Sequence, residues 1–326
     1  WFEVIDLAAV RGRFAGGSGP LEMAAESSAD FCLSGTVRRQ GGLLRTSVQL
    51  VETSRGKVLW AGEFDLRAGD ERVSAFDGVT RRIGAAVGDI FGALAGAVWQ
   101  RARGKPPENL SACEAVLCNL RYQSQLADGQ YASAMETAKR ALAADPEFAW
   151  GWAAMATLHL DNYAHVARGS ERKPAEAAME CIGRALKADP ENAFAHWTFG
   201  LYQLMNGRID EAIEAAERTV NHARGSPFEA GAAGALLSVT GNHTRGRQLI
   251  DEALELNPRL PGWIHWGRAI SDFGRGDFRT ALATSERFSL PDCFWDHLLR
   301  AAALGHAGET EQARGAVQQA RRLRPE

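Results

Sequence analysis

Residues 184–190 read Arg-Ala-Leu-Lys-Ala-Asp-Pro, and two further stretches of the chain end in a similar way. Residues 140–146 read Arg-Ala-Leu-Ala-Ala-Asp-Pro, and residues 252–258 read Glu-Ala-Leu-Glu-Leu-Asn-Pro. Pro190 and Pro258 lie 68 residues apart, which is twice a period of about 34 residues. A fixed period of this length indicates that a helical hairpin recurs along the C-terminal two thirds of the chain.

Small side chains recur at the two places where the helices of one hairpin would cross. In the second helix they are Ala134, Ala178, Ala212, Gly246, Ala281 and Ala313. In the first helix they are Ala156, Gly200, Gly234, Ala269 and Ala301, with Tyr122 as the exception in the opening hairpin. Large side chains at either place would force the helices apart. The pattern resembles that of the tetratricopeptide repeat (TPR) family, whose repeats are about 34 residues long.

This resemblance implies about six helix-turn-helix repeats that form a right-handed superhelix. The repeats are predicted at residues 115–148, 149–192, 193–226, 227–261, 262–293 and 294–326. Pro146 and Pro190 are 44 residues apart, so one repeat is longer than the period, and its extra residues fall within 161–174. Such an insertion sits on one edge of a solenoid, where it is either a surface loop or a contact with a partner.

The N-terminal hundred residues show a period of two instead. A hairpin is predicted from residues 31–37 and 44–53, which flank the turn residues 39–42. A third strand is predicted to place one set of side chains on a common face, namely Val58, Trp60, Gly62, Phe64 and Leu66. We therefore expect an antiparallel sheet in this part of the chain.

Three further elements complete the predicted N-terminal layer. They are a first strand at 2–5, a short helix at 21–29 and one long amphipathic helix from about residue 71 to residue 103. The expected fold class is an α+β N-terminal domain followed by an all-α TPR solenoid. The expected division is an α+β domain at 1–104, a linker with the start of the first repeat helix at 105–114, and the solenoid at 115–326.

Part of this N-terminal region also resembles a known family. Residues 33–39 (Leu-Ser-Gly-Thr-Val-Arg-Arg), 49–51 and 56–61 (Gly-Lys-Val-Leu-Trp-Ala) are similar to the TolB-like domain of bacterial regulators. The resemblance implies that a class III adenylate or guanylate cyclase, or a winged-helix activator of the CadC kind, precedes this pair of domains. The family's first strand would lie before Trp1, and the chain opens without an initiator Met, so we expect a truncated domain with further sequence upstream.

Composition excludes several classes of function for this segment. Its 37 Lys and Arg against 40 Asp and Glu give a net charge of -3, which offers no basic footprint for nucleic acid. Its most apolar run, residues 83–99, is interrupted by Asp89 and four glycines, so no membrane span is expected. The five cysteines form no CxxC pair and are expected to be reduced. The expected location is the cytoplasm, or the periplasm if a transmembrane helix precedes the segment.

No catalytic, cofactor-binding or metal-binding motif is recognised in the sequence. Residues 15–19 are rich in glycine but lack the Gly-Lys-Ser/Thr of a phosphate loop. His159 and His165 do not share a helix face, and His196, His265 and His297 recur at a packing position of the repeats. The segment is therefore expected to be an interaction module without enzymatic activity, cofactor or metal, although an upstream cyclase would make the intact polypeptide an enzyme.

A TPR superhelix presents its concave groove through positions 2, 5, 9, 12 and 13 of the first helix in each repeat. In this chain the residues at these positions that we expect to line the groove are Trp150, Phe194, Trp197, Leu201, Leu204, Met205, Phe228, Val239, Trp263, Trp266, Ile270, Phe273, Trp295 and Leu298. The set is strongly apolar, so the groove would be costly to leave in contact with water. Lys, Arg and Asn are scarce there, which disfavours a carboxylate clamp for peptide termini.

Two occupants of this groove remain open from the sequence. One is an amphipathic helix or extended apolar segment of a protein partner, anchored by the aromatic side chains. The other is the chain itself, through tight winding, its own N-terminal or effector domain, or a second protomer. We expect a regulatory scaffold of a bacterial signalling protein. The alternatives are the sensory part of a winged-helix activator and the non-catalytic part of a cyclase.

Overall fold

A computed structural model describes residues 3–6, 19–67, 73–106, 109–125, 131–161, 173–288 and 293–324 of the protein. It divides into two compact units, Trp1–Arg101 and Ala102–Glu326, which are described separately below. Most of the predicted insertion, the Gly-rich stretch at 15–18, and the residues Trp1, Phe2, His165 and Pro291 lie outside the described residues. The side chains of 73–75, 122–125 and 173, which include Tyr122, also lie outside them.

The first unit contains an antiparallel three-stranded sheet with β2 in the centre. Its elements are α1 (Pro20–Glu26), β1 (Phe31–Gln40), β2 (Leu43–Glu52), β3 (Lys57–Arg67), α2 (Val73–Gly88) and α3 (Ala93–Ala102). Leu50 of β2 lies opposite both Leu33 and Trp60, and it packs with Val87 and Leu94 of the two helices. The helices therefore cover one end of one sheet face.

The predicted face of β3 is correct except at its beginning. Leu50 pairs with Trp60, but the next residue, Val51, pairs with Val58, so Leu59 is an extra residue in β3. This β-bulge reverses the alternation, because a one-residue shift turns a side chain to the other face. Val58 is accordingly 50% exposed, while Leu59 and Trp60 both pack against the core.

Two other predictions for this unit are corrected. Residues 3–6 form no strand, although a first strand was expected at 2–5. The helix expected from 71 to 103 is interrupted between α2 and α3, where buried Asp89 accepts a hydrogen bond from the Phe91 amide at 2.9 Å. Gly92 is needed in this turn, because a Cβ there would lie 2.8 Å from the Val87 carbonyl oxygen.

Among the described residues, one stretch, Phe76–Ala102, is long and apolar enough to cross a membrane, and it comprises most of α2, the turn after it and α3. Half of its most apolar window is buried within the protein, and core helices of ordinary globular domains pass the same test. This finding rests on length and composition alone and is weak evidence for a span.

In the residues that the structure describes, the second unit is helical and forms six antiparallel hairpins. The hairpins are α4 (Ala112–Gln125) with α5 (Tyr131–Ala144), α6 (Ala149–Asp161) with α7 (Lys173–Ala188), α8 (Ala193–Met205) with α9 (Ile209–His222), α10 (Pro227–Val239) with α11 (His243–Leu256), α12 (Gly262–Gly274) with α13 (Phe278–Ser285), and α14 (Phe294–His306) with α15 (Thr310–Leu323). A short 3₁₀ turn, Glu286–Phe288, extends α13. We refer to the hairpins as repeats 1 to 6.

The predicted crossing points are confirmed where glycine occupies them. A Cβ on Gly246 would lie 2.6 Å from the Gly234 carbonyl oxygen, and one on Gly234 would lie 2.8 Å from the Gly246 carbonyl oxygen. A Cβ on Gly200 of α8 would lie 3.2 Å from the Ala215 Cβ and 3.4 Å from the Ala212 carbonyl oxygen, both in α9. Helices that approach this closely tolerate only the smallest side chains. The small-residue spacing therefore sets how tightly each hairpin of repeats 3 and 4 packs.

Candidate partner-binding groove

The first helices of repeats 3 to 5 begin at residues that commonly start helices. Asn192 accepts a hydrogen bond from the Ala195 amide, and Ser226 accepts one from the Glu229 amide, so both act as N-caps. Pro227 and Pro261 flank helix starts, where a missing N–H costs nothing. These caps fix the register in which positions 2, 5, 9, 12 and 13 of each first helix recur.

Five of the predicted groove residues form a continuous row of aromatic rings, which we call the aromatic ladder. Its members are Trp150, Phe194, Trp197, Phe228 and Trp263. Ring centroids are 4.9 Å apart for Trp150 and Phe194, 5.4 Å for Phe194 and Trp197, and 5.4 Å for Trp197 and Trp263, with interplanar angles of 15–20°. Phe228 contacts Trp263 edge-on at 6.0 Å. Offset stacked and edge-to-face contacts are the arrangements that aromatic rings prefer.

The ladder connects repeats that are not neighbours. Trp197 belongs to repeat 3 and Trp263 to repeat 5, so their contact passes over α10 of repeat 4. Position 5 of α10 is Gly231, and a Cβ there would lie 2.9 Å from Ile264. Position 9 is Ala235, and a Cβ on Gly267 of α12 would lie 2.6 Å from the Ala235 Cβ. Small side chains on α10 therefore let α12 approach it closely, and Trp197 and Trp263 stack across repeat 4.

This packing corrects the expected exposure of three groove residues. Phe194 and Phe228 are 1% and 2% exposed, and Trp197 is 8% exposed, so all three lie in the interior. Of the two occupants left open by the sequence, the chain itself accounts for these positions through tight winding. A partner could contact the ladder only through its half-buried ends, Trp150 and Trp263.

The groove residues of repeats 3 to 6 that keep accessible surface, among them Trp263 at the end of the ladder, form what we call the open strip. Its half-buried members are Leu201, Leu204, Met205, Trp263, Trp266, Ile270 and Phe273, and its exposed members are Val239, Trp295 and Leu298. Trp295 is 42% exposed and Leu298 is 39% exposed. Trp266 rests on Phe288 with ring centroids 6.3 Å apart, which holds its side chain in place. The strip thus offers preformed apolar surface.

Charge is absent from the groove positions of repeats 3 to 5 and concentrated beside them. Arg247 of α11 forms ion pairs with Asp251 and with Asp272, whose side chain is 3% exposed. Arg268 lies 2.8 Å from Asp251, and the Thr284 hydroxyl donates to Asp272 at 3.2 Å. These groups neutralise one another between α11, α12 and α13. They therefore link repeats 4 and 5, and the groove positions of repeats 3 to 5 stay uncharged.

Two of the histidines that recur at one repeat position, His196 and His265, are buried enough for their pKa to be shifted. The His196 ring stacks on His222, with centroids 5.2 Å apart, and its Nε2 lies 2.9 Å from the Pro190 carbonyl oxygen. Burial lowers the pKa of His196, and it also lowers the pKa of His265. Both effects favour the neutral ring. Within the described part of the chain, no three His, Cys, Asp or Glu side chains group as a metal site would require.

Comparison with solved structures places this helical architecture in a known fold. A chain of the APC/C hetero-tetramer Cut9-Hcn1 matches 70% of this chain with a TM-score of 0.50 and 13% identity. A monomeric IFIT1 mutant with Gppp-AAAA matches 67% with a TM-score of 0.51 and 17% identity. The fold is that of a TPR solenoid.

The extent of these matches is limited. The present chain spans 43% of the Cut9-Hcn1 chain and 50% of the IFIT1 chain. A tetratricopeptide repeat protein from Parabacteroides merdae matches 71% of this chain and 86% of its own length, with 16% identity and a TM-score of 0.41. No family model and no curated protein matches the sequence.

Sequence reasoning missed one feature of the groove. It treated α10 as contributing only Phe228 and Val239, because the intervening positions carry small residues. In the structure, Ser238 of α10 bonds to Ser271 of α12 with hydroxyl oxygens 2.6 Å apart, and both residues are fully buried. The small size of Gly231, Ala235 and Ser238 was the signal in the sequence that α10 packs closely against α12.

Proposed function

We propose that this chain is a non-catalytic protein-interaction scaffold, and that it binds an apolar helix or extended segment of a partner protein on the open strip. The observation that carries the proposal is the strip itself, a set of half-buried and exposed apolar side chains at the groove positions of repeats 3 to 6. Contiguous exposed apolar surface on a folded protein commonly marks an interaction site.

The chemistry of the strip specifies the partner. Indole rings such as Trp266 and Trp295 supply large contact areas with few rotatable bonds, and such residues dominate the binding energy at interfaces. Groove positions in repeats 3 to 5 carry no charge, so a partner gains nothing there from charged groups and would lose their hydration. An amphipathic helix with bulky apolar residues on one face fits these requirements, with its polar face toward solvent.

The wider context of the scaffold is part of the same proposal. The TolB-like resemblance of the N-terminal unit supports a role in the regulatory region of a bacterial signalling protein, located in the cytoplasm or, behind a transmembrane helix, in the periplasm. The alternatives are the non-catalytic region of an adenylate or guanylate cyclase and the sensory region of a winged-helix activator. In either case the occupant of the strip would be a partner, the protein's own effector domain or a second protomer. Binding of nucleic acid by this segment is not proposed, given its net charge of -3.

A peptide display experiment tests the proposal. The full chain is used to select from a random peptide library, and binding of the selected peptides is measured by fluorescence polarisation. We expect apolar residues at helical spacing, with affinity reduced at least about tenfold by Ile270→Arg or Trp295→Ala. Trp152→Ala is the matched control, because Trp152 is not at a groove position. Its indole N–H donates a hydrogen bond to the Pro146 carbonyl oxygen, and the Arg184 guanidinium lies over its ring.

Three results would separate the alternatives. Selection of charged peptides, or equal loss in Trp152→Ala and Ile270→Arg, would contradict the open strip as the site. Concentration-dependent dimerisation that Ile270→Arg abolishes would identify a second copy as the occupant. Circular dichroism of each variant establishes that lost binding does not arise from unfolding.

A further inference from the structure

The contact between Trp197 and Trp263 is unusual for a repeat protein. In a solenoid each repeat normally touches only its immediate neighbours, so that stability is close to a sum of repeat and nearest-neighbour contributions. Here two indoles from repeats 3 and 5 stack with centroids 5.4 Å apart and an interplanar angle of 18°. Repeat 4 lies between them in the chain.

The residues below the contact explain how it forms. Gly231, Ala235 and Gly267 let α10 and α12 approach until their backbones are nearly in contact. Phe228, which is 2% exposed, lies against both indoles, at 6.5 Å from Trp197 and 6.0 Å from Trp263. The two indoles therefore pack together with Phe228 at the start of α10. Nearly all residues of α10 are buried.

We propose that the Trp197–Trp263 contact is a conformational clasp that makes repeats 3 to 5 open and close as one cooperative block. Separating repeat 5 from repeat 4 also breaks the contact with repeat 3, so the local openings of the two outer repeats are coupled. This inference concerns the chain alone and does not depend on the proposed partner.

Hydrogen exchange measured by mass spectrometry on the full chain tests the clasp. In the Trp263→Leu variant, the altered residue is in repeat 5, and a local effect would speed exchange only in α12 and its neighbours. The clasp predicts in addition that the slowly exchanging amides of α8 in repeat 3 exchange faster, by up to about tenfold for the loss of one stacked pair. Leucine retains apolar volume, so the fold is kept while the ring contact is lost.

The matched control is Trp266→Leu, one turn further along α12. Trp266 packs on Phe288, and this variant is expected to speed exchange near repeat 5 while leaving α8 unchanged. In the double variant Trp197→Leu with Trp263→Leu, exchange in α8 should match that of Trp197→Leu alone, because the single variant has already lost the contact that joins α8 to repeat 5. Unchanged α8 exchange in Trp263→Leu, or effects that multiply in the double variant, would overturn the clasp.

Discussion

Two arginine–aspartate pairs, one in each unit, show how differently the two regions of this protein use the same interaction. On the N-terminal sheet, Arg45 and Asp65 form a two-point ion pair at 2.8 Å, with side chains 42% and 40% exposed. In the solenoid, Arg247 meets Asp272, with side chains only 19% and 3% exposed. The sheet pair lies on a solvated face, whereas the solenoid pair lies between packed helices.

The difference follows from what each region has available to bury. The described helices leave part of the sheet uncovered, with Leu33 50% and Val37 62% exposed. The solenoid stacks each hairpin on the next, so even charged groups between repeats lose their water and depend on one another. Removing a side-chain interaction should therefore lower the unfolding free energy strongly in repeats 3 to 5 and only slightly on the sheet surface.

The largest effect is expected for Arg247→Met, which leaves the Asp272 carboxylate buried with the Thr284 hydroxyl but without its arginine. Removing one partner of a buried pair strands a charge, at a cost of about 3 to 5 kcal/mol in unfolding free energy. Urea unfolding followed by circular dichroism measures this loss. A double variant with Asp272→Leu should recover part of it, and no recovery would argue that the pair does not act as a unit.

A smaller loss is expected for Gly246→Ala at the crossing of α10 and α11. The new Cβ would lie 2.4 Å from the Ser238 hydroxyl oxygen and 2.6 Å from the Gly234 carbonyl oxygen, so the helices must separate. We expect a loss of about 1 to 3 kcal/mol in unfolding free energy. The control is Gly183→Ala in α7, where a Cβ meets no atom within 4 Å. This change should stabilise the protein by about 0.5 to 1 kcal/mol, and equal effects at both glycines would contradict the close crossing.

A modest pH dependence is expected from His196 between α8 and α9. Burial lowers its pKa in the folded protein below the ordinary value near 6.5. A lowered pKa means that the stabilising contribution is complete above the unfolded pKa and is lost as the pH falls through the folded pKa. Unfolding free energy should therefore fall less steeply below about pH 6.5 in His196→Phe than in the wild type. An NMR titration showing the His196 ring protonating at or above the ordinary value would disprove this assignment.

The smallest effect is expected for Arg45→Met on the sheet. The neighbouring guanidinium lowers the pKa of Asp65, mainly through the hydrogen bonds it donates, but both groups are solvated. Exposed pairs contribute little, because water and salt screen them. Urea unfolding should show no measurable difference from the wild type. A loss as large as that in Arg247→Met would remove the contrast between the two regions.

Local patterns predicted most of the solenoid, and the same reasoning was less reliable on the first unit. The spacing of Gly200, Gly234 and Gly246 indicated close crossings, because a helical hairpin within one repeat depends on nearby residues. The first unit departs from its predicted pattern at two places. The bulge at Leu59 changes which face of β3 the side chains before it occupy, and the turn at Asp89 interrupts the predicted helix.

For the candidate groove, the sequence alone predicted the repeat and the side chains expected at groove positions, because helical periodicity is a local property. The tertiary structure decided which of those side chains remain accessible. Phe194, Trp197 and Phe228 are buried, whereas Trp295 and Leu298 are exposed. The physical reason is that burial depends on the size of residues one and two repeats away. The rings of Trp197 and Trp263 stack across repeat 4, and no repeat period encodes that contact.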